Sequence, residues 1–488
     1  MNMTHSWRGI AAACALSTIA ACTLDPAYTR PAAPMPDAYP HHAVSGATGK
    51  PAASAMRDDA PVQDAVLSDW QAFVLDPYVR QLVALTLRNN RDLRQAVLQV
   101  AEYEAQYRIA RSALAPTVAA TGTSTAAHDY GATSRSASVQ LGFSAWEVDF
   151  FGRLRSLKRQ ALETYLSTDA ARRSTQLSLV STTIADYLTL LSDQSLLDLT
   201  QKTVASYQNT YDTTLRTQQL GVGSMEDVQE ARTSLTSAMA TLASYQRAVE
   251  QDTNNLIAAI GCPLPEGFPE NRTLPDTPLF ADIPAGLPST LLTRRPDIME
   301  AEHTLKAANA YVGSARAAFF PTITLTATAG TESGKLSSLF KAGTGAWAFE
   351  PAISVPIFNY GDLRASLDVA KIEKNIDIAA YEEAIQTAFK EVANGLSGRA
   401  TYRSQVSADA QYVDAAQQYY AIANGRYLGG LDSFLTLLTA QRTLFTAQTQ
   451  QIADRLSEMS NLVTLYTALG GGWSAAAVRE GSPVQASR

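Results

Sequence analysis

The chain has few of the residues on which enzymes and disulfide scaffolds depend. Its 488 residues include only three cysteines and five histidines. Cys14, Cys22 and Cys262 are too few to form a disulfide framework, and Cys262 reads as a plain loop or packing residue. His41 and His42 lie in a Pro-rich stretch, His128 in a loop pattern and His303 on the surface of a helix pattern. None has metal-ligand spacing to another donor. A glycine-rich phosphate loop and a nucleophile elbow are both missing, which excludes the common enzyme classes. Charged residues are scarce at 17%, the net charge is -7, and no basic run occurs, which argues against a nucleic-acid partner. Past the N-terminus there is no apolar run of about 18 residues, so no transmembrane helix is expected. If this chain crosses a membrane, it must cross as strands.

The N-terminus reads as a targeting segment. Arg8 precedes an apolar run from Ile10 to Ala21, and Ile19-Ala20-Ala21-Cys22 closes it. An aliphatic residue, two small residues and a cysteine resemble a bacterial lipobox, which implies cleavage before Cys22 and acylation of it. The alternative is an ordinary signal peptide with an incidental cysteine. Seven prolines between Pro26 and Pro61 predict an extended tether.

Beyond the tether the sequence repeats itself. Asp92-Leu-Arg-Gln-Ala96 returns as Asp297-Ile-Met-Glu-Ala301, Arg111 as Arg316 and Pro116 as Pro321, each 205 residues later. In each copy a helix pattern gives way to alternating strands and then to a very long helix. Leu75-Asp76-Pro77 predicts a helix entry, with Asp76 as N-cap and Pro77 at the first helical position. Val139, Leu141, Phe143 and Ala145 alternate with polar or small residues, as do Ile323, Leu325, Ala327 and Ala329, and then Trp347, Phe349, Ile353, Val355 and Ile357. The connecting loops fall at 129–136 and 331–344. Gly152 to about Arg216, and its twin Gly361 to Tyr427, each read as one helix of ~100 Å. Rods of that length need lateral partners. Val228, Ala231, Leu235, Ala238, Leu242, Tyr245 and Val249 provide a heptad seam, and Leu437, Ala440, Leu444 and Ala447 begin its twin.

Two hairpins give four strands, too few to close a barrel alone. Open edges cannot face lipid, so identical neighbours must complete the sheet, which cyclic symmetry allows.

With these residues assembled, the chain resembles the outer-membrane factor (TolC-like) family, and more narrowly the lipoprotein channels of resistance-nodulation-division efflux systems. The likeness rests on Cys22, Tyr28-Thr-Arg-Pro31, Trp70 with Phe73, Asp76-Pro77, Asn90 with Asp92-Leu93, Arg295-Pro-Asp297, Ala315-Arg316, Phe320-Pro321, Arg426-Tyr427, Ala440-Gln-Arg442 and Gly470-Gly-Gly-Trp473. It implies an α+β membrane protein: a homotrimer whose twelve-stranded β-barrel continues into a twelve-helix α-barrel, each chain internally duplicated. It also implies an outer-membrane exit channel, passive in itself, served by a periplasmic adaptor and an inner-membrane pump. No cofactor is expected beyond the lipid on Cys22.

The resemblance places the functional site at the two turns joining the long helix pairs. Gly221, Gly223 and Ser224, with Gly429 and Gly430, are expected to meet the adaptor. Asp227 matches a family acidic position and Tyr427 a family tyrosine, so Asp227 is expected to bond Tyr427 or Arg426 and hold the aperture closed. Thr436 and Thr439 stand where many relatives carry aspartates, so a cation-binding ring is absent or displaced toward Asp432, and Leu435 offers an apolar constriction. The resulting organisation is a signal peptide (1–21), a lipidated tether (22–69) and a first repeat (70–261; hairpin about 117–149, helix pair 152–260). A linker (262–287), a second repeat (288–470; hairpin about 322–357, helix pair 361–468) and a flexible tail (471–488) follow. A periplasmic coiled-coil protein would explain the helices but not the hairpins. A related channel for protein secretion or metal-ion export stays open, although the scattered methionines tilt toward organic cargo.

Overall fold

The duplication is legible helix by helix in the computed structural model, which describes residues 23–35, 69–269, 271–275, 277–283 and 294–472. The signal peptide, Cys22, most of the tether and all but the first two residues of the tail lie outside the described residues. Two short helices, α1 (Trp70–Phe73) and α2 (Pro77–Asn89), precede α3 (Arg91–Ser112). As expected, Asp76 caps α2, its carboxylate accepting from the N–H groups of Tyr78 and Val79 at 2.9 and 3.0 Å. A hairpin of β1 (Ala119–Asp129) and β2 (Ala132–Glu147) leads into α4 (Arg153–Gln219) and α5 (Met225–Ile260). The second repeat runs α6 (Pro296–Ala317), β3 (Thr322–Ser333), β4 (Gly345–Ser354), α7 (Tyr360–Leu428) and α8 (Phe434–Ala468). Both ends of α6 lie 205 residues after those of α3. The long helices α4 and α7 hold 67 and 69 residues. Among the described residues no helix is long and apolar enough to cross a membrane.

The chain divides into two compact units. The first comprises Met1–Pro34, Val97–Ala171 and Asp297–Ala384 and holds the sheet. Its four strands are antiparallel in the order β1-β2-β3-β4, so β1 and β4 are the edges. Register puts Leu141 opposite Ala329, Phe143 opposite Ala327, and Ala327 opposite Phe349. Cross-strand partners share a face, so these apolar residues line one side. Trp347, Phe349 and Ile353 are 79%, 61% and 66% exposed there.

Two local expectations need correction. The first loop is not 129–136 but the pair Tyr130-Gly131, both at positive φ (46° and 82°), with Asp129 paired to Ala132. That is the backbone of a tight hairpin turn, and it lets the strands run on through polar residues. The alternation also breaks before Ala145. A bulge shifts the register between Phe143 and Trp146, with Ala145 at φ 50°, so Trp146 takes the apolar face opposite Leu325.

Residues 23–34, the described part of the N-terminal stretch, belong to this unit and contain no helix or strand. They run antiparallel to α6. Arg316 donates to the Leu24 carbonyl, Asn309 to that of Pro26, and Arg30 forks onto Glu302 at 3.0 and 2.6 Å. Asp25 pairs with Arg159 and Ser156 on α4. His303, expected on a helix surface, is half-buried and bonds Glu163 at 2.7 Å.

The second unit comprises Met35–Ala96, Arg172–Pro296 and Ile385–Arg488. Its seam follows the predicted heptads, with Val228, Ala231, Leu235 and Ala238 buried on α5 and Leu437, Ala440 and Ala447 on α8. Leu242, Tyr245, Val249 and Leu444 are only half-buried. Cys262 is a free thiol near the end of α5, half-buried and touched by the Asn89 amide at 3.4 Å.

Candidate functional site: the paired helix-joining turns

The α4–α5 and α7–α8 turns are built alike. In the first, the N–H groups of Gly221 and Val222 return to the carbonyls of Gln218 and Thr217. In the second, those of Gly430 and Leu431 return to Tyr427 and Arg426. Each bond of one turn lies 209 residues from its counterpart. This is the Schellman ending of a helix, and it needs a left-handed residue at its centre. Gly221 (φ 79°) and Gly430 (φ 69°) fill that position. Ser224 and Ser433 then cap the next helices, accepting from the N–H groups of Asp227 and Thr436 at 3.1 and 3.4 Å. Gly223 and Gly429 complete the turns. Gly223 is crowded, since a methyl there would lie 3.0 Å from the Gln218 nitrogen.

The charged contact differs from expectation. Within one chain Arg426 does not reach Asp227. Its guanidinium forks onto Asp432, six residues on, at 2.7 and 2.9 Å. The turn folds the two residues onto each other, so the nearer acid takes the guanidinium. The Arg426 hydrogen bond holds the Asp432 carboxyl below its ordinary range. Tyr427 does not reach Asp227 either. It packs beside Ala231, Phe434 and Leu438, its ring 5.8 Å from that of Phe434. Asp227 instead occupies the first turn of α5, where an acid favours the helix dipole.

The threonines also have local partners. Thr436 meets the Ser433 hydroxyl at 3.2 Å, and Thr439 donates to the Leu435 carbonyl at 2.8 Å. Leu435 projects, 59% exposed. Among the described residues no cluster of His, Cys, Asp or Glu could hold a metal ion. The turns carry further exposed apolar side chains: Leu220 (80%), Val222 (78%), Leu428 (68%) and Leu431 (70%).

Just beyond the turns lie contacts that sequence reasoning missed. Gln441 donates to the Thr210 hydroxyl at 3.0 Å and Arg442 to that of Ser234 at 3.1 Å, tying α8 to α4 and α5. The Ala440-Gln-Arg442 motif singled out these residues, but their partners depend on inter-helix register. The outer membrane efflux protein model matches residues 82–262 and 287–471, one segment in each repeat.

The chain belongs to the outer membrane efflux protein family.

Full-length relatives agree. The toluene efflux pump outer membrane protein TtgC of Pseudomonas putida is 47% identical over 461 residues, covering 93% of each chain. The cation efflux system protein CusC of Escherichia coli is 36% identical, covering 94% of this chain and 98% of that one. Among solved structures, a membrane protein from Pseudomonas aeruginosa superposes with a TM-score of 0.84 at 34% identity, over 96% of this chain and all of the other. The open-state MtrE channel of Neisseria gonorrhoeae gives 0.81 at 35%, over 93% and 99%. This is therefore an efflux channel component of a Gram-negative outer membrane, and a transport protein in class.

Proposed function

We propose that three copies close their sheets into a twelve-stranded barrel in the outer membrane and their long helices into a twelve-helix tunnel. The observation that carries this reading is the four-stranded sheet, open at both edges, with large apolar side chains projecting from one face. Unpaired edges and hydrocarbon are incompatible, and copies of the same chain remove every edge. The channel is a passive exit for a tripartite pump. An inner-membrane pump of the resistance-nodulation-division class supplies the energy, and a periplasmic adaptor engages the two turns through Leu220, Val222, Leu428 and Leu431. Docking separates the helix ends, with Arg426, Tyr427 and Asp432 among the groups that move. Acyl chains on Cys22 anchor each N-terminus.

The cargo we propose is small organic compounds, as in the toluene pump relative, rather than the cations of the more distant CusC. Gene deletion tests this directly. Sensitivity should rise to organic solvents and hydrophobic antibiotics. Sensitivity to transition-metal cations alone would reverse the cargo assignment.

A further inference from the structure

We propose that a basic cleft beside the N-terminal stretch binds the phosphate of an anionic phospholipid in the inner leaflet of the outer membrane. The cleft, a cavity of about 300 Å³, is bounded by Pro26, Val312, Arg316, Lys371, Lys374 and Ile378, with Asn375 at its side. Three cations converge there. Lys371, Lys374, Asn375 and Ile378 recur at helical spacing on α7, so they share one face. Arg316 reaches in from the last turn of α6, its Nη1 donating to the Leu24 carbonyl at 3.3 Å. Lys371 stands 3.6 Å from Asp368, both half exposed, and this is a weak tie. Lys374 and Asn375 have no hydrogen-bond or ion-pair partner among the described residues. The one acid of the N-terminal stretch beside them, Asp25, is committed to Arg159 and Ser156. Asp368 therefore offsets only one of the three cations, and weakly, which leaves an external anion to take the rest.

Chain connectivity identifies the anion's source. The N-terminal stretch is extended along α6, passing from Glu302 at Arg30 to Arg316 at Leu24. It therefore travels toward the β3 end of α6 as it nears Cys22. Pro26 lies four positions after Cys22, and an extended chain spans at most ~3.6 Å per residue. An anchor at Cys22 is thus joined to Pro26 by at most about 14 Å of chain. A cysteine bearing acyl chains sits at the bilayer surface, so the cleft is kept within about 14 Å of the phosphates. Half-buried Pro26 and Ile378, over a floor closed by buried Val312, suit the glycerol and the first methylenes, while the cations take the phosphate. This placement rests on Cys22 being the acylated residue.

The test uses full-length protein released in mild detergent and titrated with phosphatidylglycerol or with phosphatidylethanolamine of the same acyl composition. Native mass spectrometry reads both retained lipid and the acyl mass on each chain. Phosphatidylglycerol should be retained in preference. Lys371→Gln and Lys374→Gln should each lower that retention about fivefold, without altering heat-modifiable migration of the oligomer. Equal retention of the two lipids, or unchanged retention in the double variant, would overturn the cleft while leaving the anchor intact. Displacement of the lipid by millimolar inorganic phosphate would reassign the site to free phosphate and overturn the lipid assignment. A wild-type chain without acyl mass would instead remove the anchor reading and, with it, the placement at the leaflet.

Discussion

Asn90 and Arg295 hold the same carbonyl in the two halves of the chain. Asn90 donates to Ala259 at 2.9 Å, and Arg295, 205 residues later, to Ala468 at 3.0 Å. Both side chains are buried, and Arg295 also bonds Glu391 at 2.7 Å. The link ties the segment before α3 or α6 to the end of the coiled pair in its own repeat. Removing the donor leaves unsatisfied a carbonyl that is half-buried at Ala259 and buried at Ala468. Asn90→Ala should therefore cost about 1–2 kcal/mol and Arg295→Ala about 2–3 kcal/mol, because the second bond set is charged. Denaturant titration followed by tryptophan fluorescence measures the difference.

The same joints make two glycines indispensable. Gly261 (φ 77°) lies where a methyl would approach the Asn89 carbonyl oxygen to 2.8 Å, and Gly470 (φ 76°) where it would approach the Arg294 carbonyl to 2.9 Å. Strain and collision add, so alanine at either site should cost at least about 2 kcal/mol. The melting temperature of the protein should fall for both variants. Gly267→Ala, at positive φ in open space, should lower it less.

Much of this was legible in the sequence, and the reason is periodicity. A repeat offset, a heptad seam and period-two alternation each report local backbone geometry, and α3, α6, the long helices and three strands follow from them, with β1 implied only as the partner of β2. What stayed hidden depends on register. The bulge between Phe143 and Trp146 leaves no mark in composition, and polar residues from Thr133 to Ser136 look the same in a loop and in a hairpin strand. At the turns the glycines were readable, whereas the caps made by Ser224 and Ser433 emerged from the structure. The partner of Arg426 was not, because only the reversed backbone sets Asp432 before it.

The Arg426–Asp432 fork is exposed, so its loss should scarcely change folding. If it helps hold the aperture, Arg426→Ala and Asp432→Asn should both raise single-channel conductance in planar bilayers with melting temperature unchanged. Wild-type conductance in both variants would exclude the fork from gating.

One acidic pair predicts a pH dependence. Burial, and then the charge of Asp252 on α5, push the Asp193 carboxyl on α4 up to about 6. Asp186 on α4 is raised by burial and by Asp252, and Tyr245 on α5 by burial and by Asp193. In the second repeat Asp409 and Asp454 oppose each other in the same manner, with Asp409 raised by burial and by its bond to Asp454. A raised folded-state value means that the folded chain keeps a proton that the unfolded chain has lost. Stability from this pair is therefore full below about pH 4 and declines as pH climbs through about 6. Asp193→Asn should flatten that part of the curve of melting temperature against pH. An unaltered slope would contradict the shared proton.

The proposed barrel requires copies of one chain to seal each other's sheet edges in a membrane. Native mass spectrometry of the detergent-solubilised, full-length protein reads this most directly. We predict a mass of three chains that needs detergent to stay dispersed and collapses to one chain on heating. A monodisperse single chain, stable in aqueous buffer without detergent once the acyl anchor is removed by Cys22→Ser, would contradict it.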